Sequence, residues 1–157
     1  MAVQVHIAFS DFVVGAALFA GAPYYCARTQ LKILVEQCTI YGTPDVDVLE
    51  LLTRQWASLG LVDDVINLVD DRVYLYHGTA DTVLNLPVVQ SLESYYSMLI
   101  DNSTEGKGKI ETFYTLGTSI IFCAYILSDL IEEIFVFTHK TRSTPHQLST
   151  MEPHVIH

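Results

Sequence analysis

The segment Val73-Tyr-Leu-Tyr-His-Gly-Thr-Ala-Asp81-Thr-Val is the stretch best able to do chemistry. An apolar run stops at His77-Gly78, and an acid, Asp81, follows the glycine after two further residues. A carboxylate just past a buried parallel strand stands at the carboxyl edge of its sheet, where α/β folds bind ligands. From that edge it can accept the Nδ1–H of a histidine, fix the ring's tautomer and stabilise the imidazolium that forms when the ring takes a proton from a nucleophile. The other use of such an acid is local, as a cap on the turn or on the following helix. The segment alone leaves both uses open.

The remaining candidates are weaker. His6 reads as a surface or helix-packing residue, and His77 as structural at a strand exit. Four histidines fall between Thr138 and His157. They lack ligand spacing and have no cysteines or acids in a fixed arrangement beside them, so neither metal nor cofactor is expected. Trp56 and the tyrosines Tyr24, Tyr25, Tyr95 and Tyr96 read as packing residues in preference to a substrate surface. Cys26 and Cys38 flank a short polar excursion. They are either bridged or two unrelated buried thiols, and spacing does not decide between these.

Positioning such an edge needs strands separated by helices. Met1 to Phe12 has a helical period, with Ala2, Val5, Ala8 and Phe9 on one face. Val13 to Gly21 is a continuous apolar run with internal glycines, as in a strand buried on both faces. A short helix is expected near Leu31 to Glu36, and a longer one from Pro44-Asp45 to about Ser58, with Gly60 just past its end. Arg72 to Gly78 is the second strand. Pro87 opens the next helix as its first residue, running on from Val88 to Ile100. Lys109 to Leu116 is the third strand. The alternation predicts an α/β domain with a parallel sheet. Three strands make a thin sheet with an unpaired inner edge, so the unit reads as part of a larger one.

After Leu116 the character changes. Ile120 to Phe137 is apolar but broken by Asp129, Glu132 and Glu133. The acid-free stretch is shorter than the roughly 20 residues that span a bilayer, so a membrane partner is not expected. Thr138 to His157 reads as loop or tail. The division expected is therefore 1-116, a partial α/β domain, and 117-157, an atypical tail of an apolar helix and then a disordered end. Half of the residues are hydrophobic, and 18 acids against 8 bases give a net charge of −10. Phosphate binding needs clustered Lys and Arg, so nucleic acid is excluded as a partner. The opening residues lack the basic and apolar regions of a signal peptide. Asn102-Ser103-Thr104 is a glycosylation sequon, meaningful only in a secreted protein.

Three stretches carry a resemblance. His77-Gly-Thr-Ala-Asp81-Thr-Val resembles the α/β-hydrolase segment in which a triad aspartate follows a late strand. Met1-Ala-Val-Gln-Val-His-Ile-Ala-Phe-Ser and Ala17-Leu-Phe-Ala-Gly-Ala-Pro-Tyr-Tyr-Cys-Ala resemble the extracellular poly(3-hydroxybutyrate) depolymerases and related serine esterases. The resemblance covers roughly Met1 to Leu116. It implies the C-terminal part of an α/β-hydrolase sheet with flanking helices, a Ser–His–Asp mechanism with Asp81 as the acid, and a small ester or polyester as substrate of the full-length parent. It also implies secretion of that parent. That favours a Cys26–Cys38 bridge and gives the Asn102 sequon a context.

The chain departs from the pattern in two places. The nucleophile elbow G-x-S-x-G is absent from these residues; the resemblance places it just before Met1. Gly117-Thr-Ser119-Ile-Ile begins such a motif but lacks the closing glycine and follows the wrong strand. The triad histidine should come soon after the third strand, yet the next histidines are His139 and His146. His146-Gln-Leu-Ser-Thr faintly resembles the family's H-x-x-P-T. Either 117 to about 144 is an insertion and His146 is the base, or everything past Leu116 is foreign to the fold. The expectation is a truncated ester hydrolase, inactive alone. The alternative is a non-catalytic binding or membrane-associated protein that retains the half-fold.

Overall fold

The computed structural model describes residues 2–39, 41–100 and 108–117. In chain order these form α1 (Ala2–Ala8), β1 (Gly15–Phe19), α2 (Leu31–Gln37), α3 (Val46–Ser58), a 3-10 turn (Val65–Leu68), β2 (Arg72–Gly78), α4 (Leu86–Ser97) and β3 (Lys109–Thr115). The three strands pair in the order β1-β2-β3, all parallel. This is the α/β architecture expected from the alternation of strands and helices. The apolar stretch Ile120 to Phe137 and the histidine-bearing end lie outside the described residues.

Local chemistry explains the boundaries. Asp45 caps α3 by accepting the Val48 N–H at 3.2 Å, and Gly60 follows the helix at φ +70°, the left-handed position that suits glycine. Asn85 caps α4 by accepting the Val88 N–H at 3.2 Å, so the helix starts at Leu86. Pro87 is therefore its second residue and not its first, still inside the turn where no intrahelical N–H partner is lost. Gly15 is needed where β1 meets β2, because a Cβ there would stand 2.5 Å from the Arg72 carbonyl oxygen.

Burial alternates along β2. Val73, Leu75 and His77 are buried, with Leu18 of β1 beside them in the core. Val3 and Ile7 of α1 and Leu92, Tyr95 and Tyr96 of α4 complete this layer. Both helices thus cover one face of the sheet. The other face carries Phe19, Tyr76 and Phe113 as a row with ring centroids 5.6 and 6.1 Å apart, and Phe113 remains exposed. Two expectations are corrected here. β1 is packed by helices on one face only among the described residues: Ala17 and Phe19, on the face opposite Leu18, are half-buried. In α1 the buried face is Val3, His6 and Ile7, while Val5 and Phe9 are exposed. A polar residue can join the buried face because His6 finds two partners in the core.

Candidate active site

Asp81 lies where the strand pattern put it, on the turn leaving the carboxyl end of β2. That exit is tied to both neighbouring strands. The Ala20 N–H past β1 donates to the Tyr76 carbonyl at 2.9 Å, and the Thr79 N–H donates to the Thr115 carbonyl of β3 at 3.0 Å. The Gly117 N–H then donates to Thr79 Oγ1 at 3.2 Å. Asp81's own N–H closes a turn on the Gly78 carbonyl at 2.9 Å. Its Oδ1 accepts two backbone N–H groups, from Val83 at 2.7 Å and Leu84 at 3.0 Å. Its Oδ2 is buried and has no hydrogen-bond partner. The two uses open from the sequence are thus compatible in one side chain: Oδ1 holds the turn, and Oδ2 is held in place with its acceptor capacity unused.

His77 ends the same strand, 1% exposed, with its Nδ1 also unpartnered. Its ring packs edge-on to Tyr114, the centroids 6.5 Å apart. Burial lowers its pKa, against the smaller opposing pull of the Asp81 carboxylate. His77 is accordingly a neutral imidazole at neutral pH.

A cavity of about 770 Å³ opens at the carboxyl end of β1, lined in part by Phe19, Pro23, Tyr24, Leu34, Arg28 and Leu84. Leu84 is the residue whose N–H binds Asp81, so the cavity borders the Asp81 turn. Its wall is the loop between β1 and α2, where Ala20, Tyr25, Arg28 and Thr29 all have positive φ, from 47° to 59°. Such conformations cost about 1–3 kcal/mol each for residues with a side chain and persist only where the surroundings impose them. Two restraints are visible. Cys26 is disulfide-bonded to Cys38, as the resemblance implied, with the Cα atoms 6.0 Å apart. Trp56 of α3 packs on the loop tyrosines, 4.3 Å from Tyr25 and 6.0 Å from Tyr24 between ring centroids. Gly21 lies against α4, where a Cβ would come 2.9 Å from a Leu92 methyl.

Known proteins resemble this arrangement and its sequence. A poly(3-hydroxybutyrate) depolymerase of Delftia acidovorans is 39% identical over 103 residues, 64% of this chain and 21% of the relative. A polyhydroxybutyrate depolymerase of Talaromyces funiculosus is 31% identical over 121 residues, 73% of this chain and 34% of the relative. The chain is a relative of the polyhydroxybutyrate depolymerases. It spans between a fifth and about a third of the length of these two curated proteins, 21% and 34%. Two solved depolymerase structures superpose on it with a TM-score of 0.61, each over 74% of this chain and 34% of its own. One, from Penicillium funiculosum, is 29% identical; the other, complexed with an R3HB trimer, is 27% identical. No family model matches the chain.

For a depolymerase relative, the described residues bring together Asp81, His77, the cavity and the bridged loop. His146, His139, Ser119 and the Asn102 sequon lie outside the described residues.

Sequence reasoning missed two features. Of the two readings of His6, helix packing holds and surface does not, but its partners were not foreseen: it is 1% exposed, its Nε2 lies 3.1 Å from Asp71 Oδ2 and its Nδ1 lies 3.0 Å from the Tyr96 hydroxyl. With the proton on Nε2, the ring donates to the carboxylate and accepts from the phenol, satisfying both. No spacing links residues 6, 71 and 96, so only the fold could reveal it. The second is Arg28, whose Nε is buried without a partner. The one signal for it in the sequence is its place two residues past Cys26, directly after the stretch that carries the resemblance.

Proposed function

We propose that this chain supplies the acid-bearing half of a serine ester hydrolase acting on short hydroxyalkanoate esters, with Asp81 as the triad acid. The observation that carries this is the Asp81 carboxylate itself. One oxygen is locked by two backbone N–H groups and the other is buried, unpartnered and at the carboxyl edge of a parallel sheet. A histidine whose Nδ1–H reached Oδ2 would be held in the tautomer that accepts a serine proton at Nε2. The serine then attacks the ester carbonyl, the alcohol leaves with that proton, and water hydrolyses the acyl-enzyme. The depolymerase relatives supply the substrate class.

The 157 residues contain no G-x-S-x-G. On this reading the chain is truncated: the nucleophile lies in sequence beyond it, and the chain by itself is inactive. Residues 1-116 form the hydrolase part and 117-157 stand apart from it. The Cys26–Cys38 bridge supports secretion of the parent, because such bridges persist in oxidising compartments. Asn102 as a glycan acceptor belongs to the same reading; His146 as the base belongs to its variant in which 117 to about 144 is an insertion and the chain then returns to the fold.

The test has two arms. The chain alone is treated with a fluorophosphonate probe and assayed on a 3-hydroxybutyrate ester; neither labelling nor hydrolysis is expected. Strong serine labelling of the chain alone overturns the truncated-enzyme reading. A chimera joining the chain to the elbow-bearing segment of the Talaromyces funiculosus relative is then assayed on the same ester. Hydrolysis is expected, and a folded but inert chimera overturns the assignment.

A further inference from the structure

Among the residues that line the 770 Å³ cavity, Arg28 is the one with a formal charge. The chain carries 18 acids against 8 bases, so a cation would be expected to find a carboxylate. Lys32, Arg54 and Lys109 do, pairing with Glu36, Glu50 and Glu111. Arg72 lies in the field of Glu111. Arg28 makes no ion pair among the described residues, and its Nε is buried without any hydrogen-bond partner. Leaving a buried guanidinium N–H without an acceptor is costly.

The backbone holds it there. Arg28 is itself at φ 47°, its N–H donates to the Tyr25 carbonyl at 3.0 Å, and its carbonyl accepts the Thr29 hydroxyl at 2.7 Å. It follows Cys26 by two residues, on the loop that the disulfide closes. A strained, cross-linked loop that sets Arg28 in the wall of an apolar cavity, with no ion pair among the described residues, has the features of an anion site.

We infer that Arg28 binds the free carboxylate of a short aliphatic hydroxy acid, with the ligand's carbon chain lying along the apolar wall of the cavity. The choice of a hydroxy acid rests on the ester-hydrolase reading above, since cleaving a hydroxyalkanoate ester liberates that group. The carboxylate preference itself follows from Arg28 and the cavity alone. A planar guanidinium can grip both carboxylate oxygens at once, whereas a neutral ester offers no charge and only a carbonyl.

The test compares the linear dimer of 3-hydroxybutyric acid with its methyl ester, binding each to the full chain. The single tryptophan, Trp56, packs edge-on against Tyr25 of the cavity loop and reports occupancy by its fluorescence. The acid is expected to bind at least about 10-fold more tightly than the ester, a difference of about 1.4 kcal/mol. Arg28→Gln should erase that preference, and Arg28→Lys, which keeps the charge but not the fork, should retain part of it. Circular dichroism establishes that each variant is folded. If Arg28→Gln does not fold, Arg28→Lys decides: a preference unchanged from the parent overturns the inference. Equal affinity for acid and ester in the parent, no binding of either, or an undiminished preference in Arg28→Gln overturns it as well. A chain that prefers the acid while its chimera hydrolyses nothing keeps this site and loses the esterase reading. Hydrolysis without any acid preference does the reverse.

Discussion

The two ends of the sheet treat buried polar groups in opposite ways. At the amino end, His6, Asp71 and Tyr96 are all buried, and both nitrogens of the ring are bonded. At the carboxyl end, Asp81 Oδ2, His77 Nδ1 and Arg28 Nε are buried and have no hydrogen-bond partner among the described residues. A buried polar atom without a partner costs free energy that folding alone gives no reason to spend. The paired cluster therefore reads as structure. The unpaired groups read as positions waiting for a ligand, a second side chain or water. The same residue type falls on both sides of the division: His6 joins three elements, while His77 closes a strand with one nitrogen idle.

The largest effect should come from the idle side of Asp81. In the chimera with an elbow-bearing segment, Asp81→Asn keeps an oxygen for the Val83 and Leu84 N–H groups but no longer stabilises an imidazolium. Ester hydrolysis should fall by about 10³- to 10⁴-fold. Stability, followed by urea unfolding, should move by less than about 1 kcal/mol. A large loss of stability with little loss of rate would reverse the contrast and make Asp81 a turn cap only.

At the other end the effects should exchange. His6→Ala leaves the Asp71 carboxylate buried without its donor and strips the Tyr96 hydroxyl of its acceptor. Breaking a buried pair from one side costs about 3–5 kcal/mol, a large share of the 5–15 kcal/mol typical of a domain. Urea midpoints measure it. A loss below about 1 kcal/mol would show that the paired cluster is not what holds α1 and α4 to the sheet. Next in size is the Cys26–Cys38 bridge, which joins residues 12 apart. Closing a loop of that length is worth about 3 kcal/mol in the chain-entropy picture. The Cys26→Ala, Cys38→Ala double variant should lose about that much stability. It should also lose the discrimination between acid and ester, because the left-handed positions at Arg28 and Thr29 would relax. Retained discrimination would mean that the Trp56 packing alone holds the loop.

The sequence made the sheet legible because its signals are local. Arg72 to Gly78 ends on a glycine, and Lys109 to Thr115 alternates after a polar, glycine-bearing stretch of sequence. Asp81 was legible for a related reason, being fixed by its distance from a strand end. α1 was misread because hydrophobic periodicity puts no value on a histidine that has two partners. Phe9 and Val5 outweighed His6 in the pattern, and Asp71 and Tyr96 were too distant in sequence to correct it. Arg28 is not legible in the sequence because its interest is a negative property, the lack of an ion pair among the described residues, which only three dimensions display. His146 was reached by resemblance alone and lies outside the described residues.

The smallest effect, and the finest test of the contrast, belongs to His77. Burial lowers its pKa in the folded chain, while in the unfolded chain it titrates near the ordinary value of about 6.5. Between those two values the unfolded state binds the proton and the folded state does not, so stability rises with pH there. It should be flat above about pH 6.5 and decline as pH falls below it, until the lower folded value is reached. His77→Gln carries no titrating group at that position, so the difference in stability between parent and variant, measured by urea unfolding at successive pH values, should bend at about 6.5. Parallel curves would mean that the folded chain accepts the proton at no cost. In that case the idle nitrogen has found a partner such as water, and the carboxyl end has one fewer unmet group than its geometry indicates.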